Sequence, residues 1–142
     1  MAVNKGIETW LFETMEKSIK ETPFYKLLGV ELVELGPGEA VLKVFPTAEH
    51  TNPLGMIHGG LLMSIADAAM GNAVRSLGSR GVTVDMSTSF LSSAMIGQEI
   101  IARGKVLKAG RNLFFVEATV TSNEKLLVKC TGTFFKTGEM TR

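Results

Sequence analysis

A single cysteine, Cys130, stands in 142 residues, so no internal disulfide can form. Two histidines and that one cysteine, at no metal-ligand spacing, leave a zinc site without its ligands. Net charge is nearly absent too. Fifteen Lys and Arg against 14 Asp and Glu leave +1, too weak a field to draw in nucleic acid or a membrane surface, although a local cation cluster suffices for a small anion. No apolar run reaches the ~20 residues that cross a bilayer, because the longest, around Leu61 to Val74, is interrupted by Ser64, Asp67, Gly71 and Asn72. The N-terminal stretch MAVNKGIETWLFETMEKSIKE scatters charges where a signal core would be uninterrupted, and the expected compartment is the cytosol. Repeats, low-complexity tracts and linkers are missing. So are the GxSxG elbow, the P-loop and GxGxxG, which removes the motifs of serine hydrolases, NTPases and dinucleotide enzymes.

What is present is enough chain for one domain over residues 1–142, with 45% hydrophobic residues including eight Met and eight Phe. That fraction is slightly high, as when apolar surface is buried between subunits. Ile7, Leu11, Met15 and Ile19 recur every four residues, predicting an amphipathic helix within residues 1–22 that Pro23 ends. Val30 to Leu35 and Glu39 to Phe45 read as a hairpin about Gly36-Pro37-Gly38, and residues 46–58 as an irregular loop. A helix is predicted from Gly59 to about Ser76. After a Gly78–Gly81 turn, four strands follow: Val82 to Leu91, Glu99 to Lys108, Asn112 to Ser122 and Lys125 to Lys136. The order predicts an α+β fold, an antiparallel sheet of five to six strands wrapped around one long central helix. One sheet cannot cover the whole helix, so a dimer is expected.

The central helix carries the chemistry. In NPLGMIHGGLLMSIADAAMG its apolar residues cover most of the circumference, while Gly60, Ser64, Asp67 and Gly71 recur at spacings of four, three and four on one face. Gly59 and Gly60 lie at the helix start, where unpaired N–H groups and the positive dipole end can polarise a carbonyl, and lacking side chains they admit a ligand oxygen. Asp67 is two turns away, roughly 12 Å along the axis, too far to meet the same carbonyl within one subunit unless the ligand lies along the helix. In a dimer with paired helices, the glycine of one chain can face the carboxylate of the other. Each residue also has a plain structural reading. His58 can cap or pack, Asp67 can bond a backbone amide or Arg75, Asn52 can form an Asn-Pro turn, and Thr83 can be ordinary strand polarity. Cys130 reads as a small strand hydrophobe. Lys105, Lys108 and Arg111 around a turn suit a solvated hairpin or a phosphate contact.

The order of elements, Asn52, the G-x-x-HGG run from Gly55 to Gly60, Asp67 eight residues on from Gly59, and GVTVDMSTSFLSSAMIGQ over 81–98 together resemble the PaaI-type hot-dog acyl-CoA thioesterases. The likeness spans about Phe24 to Lys136. It implies a hot-dog fold, dimers with both active sites at the interface, and pairing of dimers into tetramers. By the resemblance, Asp67 is the catalytic carboxylate, nucleophile or general base on water. Gly59 supplies the polarising amide from the opposite subunit, Asn52 lies near the attacking water, Thr83 places a hydroxyl near the carboxylate, and His58 orients the loop. The same alignment sets Gly60 and Phe90 against the acyl or pantetheine channel and Lys108, Ala109, Gly110, Arg111, Asn112 and Leu113 along coenzyme A. The chain departs from the family at Ser93, where Pro is frequent, and at Thr83, where Ser is. No metal or redox cofactor is implied, coenzyme A being part of the substrate. The rival classes are a hot-dog hydratase or dehydratase, for which no His lies on the helix, and a non-catalytic acyl-CoA sensor, for which no DNA-binding extension is present.

Overall fold

The computed structural model describes residues 1–142. Three α-helices, α1 (Thr9–Glu21), α2 (Pro23–Leu28) and α3 (Gly59–Arg75), accompany seven strands, β1 (Val3–Asn4), β2 (Glu31–Gly36), β3 (Glu39–Val44), β4 (Ser79–Phe90), β5 (Ile100–Ala109), β6 (Leu113–Ser122) and β7 (Lys125–Glu139). The sheet order is β1-β2-β3-β5-β6-β7-β4. All its pairings are antiparallel except the two-residue β1, which lies parallel to β2.

The N-terminus departs from the expected single helix within residues 1–22. α1 begins only at Thr9, with Leu11, Met15 and Ile19 buried as their spacing predicts. The Asn4 side chain accepts from the Gly6 and Ile7 amides at 2.9 Å, holding a turn where helix was expected. Pro23 does end α1, yet it also opens α2, because its fixed φ and missing N–H suit a first helical position. Gly29 closes α2 at φ 78°. β4 begins three residues earlier than expected and β7 runs three residues further, since Ser79 and Glu139 pair with each other.

α3 fills the concave side of the sheet. Leu61, Leu62, Ile65, Ala66, Ala69, Met70, Ala73 and Val74 are all buried. The inward row Leu42, Ala102, Val120 and Val128 runs across β3, β5, β6 and β7, and Gly104 lets β5 approach the Ala69 carbonyl of the helix. Gly59 lies against Phe90 at the end of β4, while Val74 meets Gly81 near its start, so helix and strand run antiparallel.

Two features of this wrapping position the site. At 100° per residue, Gly60, Ser64, Asp67 and Gly71 fall within a narrow, half-buried arc of α3, with the Phe134 ring of β7 beside Gly71. β4 borders that arc on one side. On the other, Asn72 and Arg75 hold α1 and α2. β4 is also an unpaired sheet edge of 12 residues, with Val82, Val84 and Phe90 exposed along it and Leu91 exposed just beyond.

Candidate active site

His58 is the N-cap of α3. Its Nδ1 accepts from the Gly60 amide at 2.7 Å, so the neutral ring carries its proton on Nε2. The Leu61 amide turns back to the His58 carbonyl at 3.0 Å. The Gly59 amide donates to nothing in the chain, making it the free donor at the positive end of the helix. His58 therefore does cap, and capping leaves the Gly59 amide as the one available for a carbonyl.

The loop before the helix is braced. His50 Nδ1 accepts from the Thr47 amide at 3.0 Å, and the His50 carbonyl accepts from the His58 amide at 2.8 Å. Asn52 closes a tight turn. Its Oδ1 accepts from the Leu54 and Met56 amides at 2.9 and 3.1 Å. Its Nδ2 has no partner in the chain and remains a free donor. The Ile57 amide ties this loop to Ala94 at 3.0 Å, beside the segment that follows β4.

Asp67 is half-buried on the open arc rather than enclosed. Its Oδ1 accepts from the Thr83 hydroxyl at 2.7 Å, which leaves Oδ2 free. Arg75 is not its partner, since that guanidinium bonds Asn72 and Ser18. Thr83 pairs with Phe134 and points inward from β4, immediately before a bulge at Val84. Beneath them Cys130 is buried against Thr88 at 3.5 Å, and burial pushes its thiol up from the ordinary value.

The two halves of the expected machinery are separated within one chain. Gly59 sits with Phe90, whose ring would lie 3.2 Å from a Cβ there, whereas Asp67 sits with Thr83, seven residues back along β4, about 23 Å in strand length. None of the three main concavities includes Asp67, Thr83 or Gly59. Lys108 and Arg111 lie exposed on the β5–β6 hairpin, with Ala109 at the end of β5 and Leu113 at the start of β6. The Gly110 amide closes that turn on the Leu113 carbonyl at 2.8 Å, and the Asn112 carbonyl accepts from the Lys136 backbone amide at 2.7 Å. The cross-strand row Thr83, Phe134, Phe114, Ala109 sets this hairpin level with Thr83, about 14 Å across three strand spacings.

The residues that sequence reasoning did not connect are Ser18, Tyr25 and Asn72. The Asn72 Nδ2 donates to the Tyr25 hydroxyl at 3.2 Å and to the Ala68 carbonyl at 2.8 Å, and Arg75 donates to Asn72 Oδ1 at 2.9 Å and to Ser18 Oγ at 2.7 Å. The available signal was Asn72 and Arg75, polar at a three-residue spacing on an otherwise apolar helix.

The sequence model of the family described as the thioesterase superfamily matches residues 54–129. Acyl-coenzyme A thioesterase 13 of Homo sapiens is 32% identical over 135 residues, covering 93% of this chain and 92% of that protein. Acyl-coenzyme A thioesterase PaaI of Escherichia coli is 27% identical over 103 residues, 72% of this chain and 74% of that one. The solved E. coli PaaI structure superposes with TM-score 0.89 at 22% identity, over 96% of this chain and all of that chain (100%). A hypothetical thioesterase of Streptococcus pneumoniae solved with coenzyme A superposes with TM-score 0.76 at 27% identity, over 79% and 91%. With a sheet wrapped on one long helix and a family match spanning more than half its length, the chain belongs to the thioesterase superfamily, as a PaaI-type hot-dog thioester hydrolase.

Proposed function

We propose that the protein hydrolyses acyl-CoA thioesters to the free acid and coenzyme A at two equivalent sites of a homodimer. The observation that carries this reading is Asp67, held by Thr83 through one oxygen with the other free, on the helix whose first amide is unengaged. Relatives named as acyl-coenzyme A thioesterases and a structural relative solved with coenzyme A support the substrate class.

The positions of the two halves support a dimer. Gly59 and Asp67 are symmetric about Met63, and their neighbours on β4, Phe90 and Thr83, are symmetric about the Met86–Ser87 peptide. Because α3 runs antiparallel to β4, one two-fold axis passes near both midpoints. Antiparallel pairing of β4 with its copy then extends the sheet and brings Thr83 and Asp67 of one protomer beside Phe90 and Gly59 of its partner. Met63, 38% exposed on the open arc, is buried on that axis.

In this site the thioester carbonyl accepts from the Gly59 amide of one protomer while the free oxygen of Asp67 from the other attacks it or deprotonates a water. The Asn52 amide group stands near that water, and Thr83 holds the carboxylate's orientation. A thiolate leaves readily with little acid assistance, so a carboxylate and one oxyanion donor are sufficient without metal or redox cofactor. Phe90 and Gly60 border the acyl and pantetheine path, Lys108 and Arg111 meet the nucleotide phosphates, and dimers pair further into tetramers. Release of free thiol from a panel of aryl, short-chain and long-chain acyl-CoA esters tests the reading. Wild type is expected to turn over at least one class, with a loss of at least ~100-fold in Asp67→Asn. Inactivity of the wild type across the panel sinks it.

A further inference from the structure

His50 and His58 are the chain's only histidines, and both use the same ring nitrogen in the same way. His58 Nδ1 accepts from the Gly60 amide at 2.7 Å, and His50 Nδ1 accepts from the Thr47 amide at 3.0 Å. Each ring is therefore neutral, with its proton on Nε2. The two residues are also joined directly, since the His58 amide donates to the His50 carbonyl at 2.8 Å.

Caps and tight turns are usually held by Asn, Asp, Ser or Thr, whose side-chain oxygens accept from nearby amides. Asn52 does this in the same loop, its Oδ1 accepting from the Leu54 and Met56 amides. An imidazole differs from an amide oxygen in one respect. A proton on Nδ1 takes the lone pair that accepts, makes the ring a donor on both sides and leaves N–H facing N–H. Both ring bonds in this loop are therefore held by the neutral form alone. His50 is half-buried and His58 exposed, so each can exchange its proton with solvent.

The His50 bonds reach the reacting groups through the backbone. The ring bond, with the His50 amide donating to the Thr47 carbonyl at 3.0 Å, closes the single 3-10 turn at Ala48–His50. That turn aims the His50 carbonyl at the His58 amide, beside the Thr51–Ile57 bridge and the 2.7 Å bond from the Asn52 amide to the Met56 carbonyl. Residues 51–57 are thus a short closed loop that carries Asn52, and the free Gly59 amide stands one residue past its closure. One clasp sets the position of both free donors. Of the segments bordering it, the turn contributes Glu49, residues 91–98, tied to the loop through Ala94, contribute no titratable group, and β4 contributes Phe90. None of the chain's ion pairs includes Glu49, His50 or His58.

We propose that His50 is a positioning residue for the helix-start amide: its neutral ring and its carbonyl clasp the loop so that the Gly59 amide and Asn52 Nδ2 are presented together, and protonation of the ring opens the clasp. The inference rests on the thioesterase reading for its kinetic consequence and on the hydrogen bonds alone for its structural one. The Gly59 amide acts most strongly as charge develops on the carbonyl, so a displaced amide lowers kcat more than it raises KM. His50→Ala is expected to lower kcat at about pH 8 by at least ~10-fold, with KM within ~2-fold of wild type. His50→Asn, whose Oδ1 accepts but does not titrate, is expected to regain most of that loss. Wild-type kcat is expected to fall between about pH 8 and about pH 5.5, where histidines take up a proton, and His50→Asn to lose at least ~3-fold less over that range. Backbone amides followed by NMR give a readout independent of turnover. In His58→Asn, where His50 is the one histidine left, the Gly59 amide resonance is expected to move over the same range and to stop moving when His50→Asn is added.

An acid fall in His50→Asn as large as in wild type overturns the inference, and so does a His50→Asn no better than His50→Ala at about pH 8. A rise in KM with kcat unchanged in His50→Ala also overturns it and assigns the loop to substrate binding. If wild type hydrolyses none of the acyl-CoA panel, the hydrolase reading falls and the resonance decides the clasp. A Gly59 amide that follows the titration of His50 upholds it, and one indifferent to His50 overturns it.

Discussion

A methyl group in place of the Gly59 hydrogen would stand 3.2 Å from the Phe90 ring, closer than most side-chain contacts allow, so the ring must give way. Phe90 is 50% exposed and has room to move, but in doing so it intrudes where the acyl or pantetheine group is expected. Gly59→Ala is therefore expected to lower kcat about tenfold, the equivalent of ~1.4 kcal/mol in transition-state stabilisation. Adding Phe90→Leu should recover part of that loss. Steady-state kinetics of the two single variants and the double variant measure the coupling, and a double variant no better than Gly59→Ala would deny the ring this role. Asp67 and its spacing from Gly59 are legible in the sequence because an acid among apolar helical residues is anomalous by itself. Thr83 is legible only through the family likeness, since its partner lies 16 residues earlier and the contact exists only after β4 folds across α3. The Tyr25–Asn72–Arg75 group was illegible for the same reason, with 47 residues between Tyr25 and Asn72.

At the scale of elements, Gly104 lets β5 approach the backbone of α3 more closely than a side chain would allow. A Cβ on Gly104 would overlap the Ala69 carbonyl and the Met70 amide, and both are backbone in the middle of α3, which cannot rotate away as a side chain can. Gly104→Ala is expected to cost at least ~3 kcal/mol, the upper part of the range for overpacking, read as a lower midpoint in denaturant unfolding. A loss below ~1 kcal/mol would mean that the helix rides further from the sheet. The limits of α3 were readable because His-Gly-Gly and a continuous apolar run mark a helix entry and a buried helix. β1 and α2 were not, because a two-residue strand has no periodicity and a helix beginning at Pro23 looks like the end of its predecessor.

For the whole molecule, an edge strand of 12 residues and the half-buried face of the helix carrying Asp67 are the surfaces that a second copy would close. Met63→Glu tests this without disturbing the single chain's core, because Met63 is already partly exposed. Two carboxylates meeting on the two-fold axis repel, so the variant is expected to sediment as a monomer and to lose at least ~100-fold in turnover, as removal of an oxyanion donor does. A dimer of unchanged affinity would place the interface elsewhere.

The sequence by itself determined the α+β fold class, the helix carrying Asp67 and the glycine entry before it, because these rest on local periodicity, backbone requirements and the cost of an acid in an apolar run. Only the tertiary structure decided that Asp67 is held by Thr83, that His58 consumes the Gly60 amide and leaves that of Gly59 free, and that Asp67 and Gly59 face β4 seven residues apart, at Thr83 and Phe90. It also decided that Asn72 joins Tyr25 of α2 to the end of α3. Such facts depend on which strand crosses which turn of the helix, and that is set by how a sheet closes around one cylinder, an arrangement in which residues far apart in sequence become neighbours.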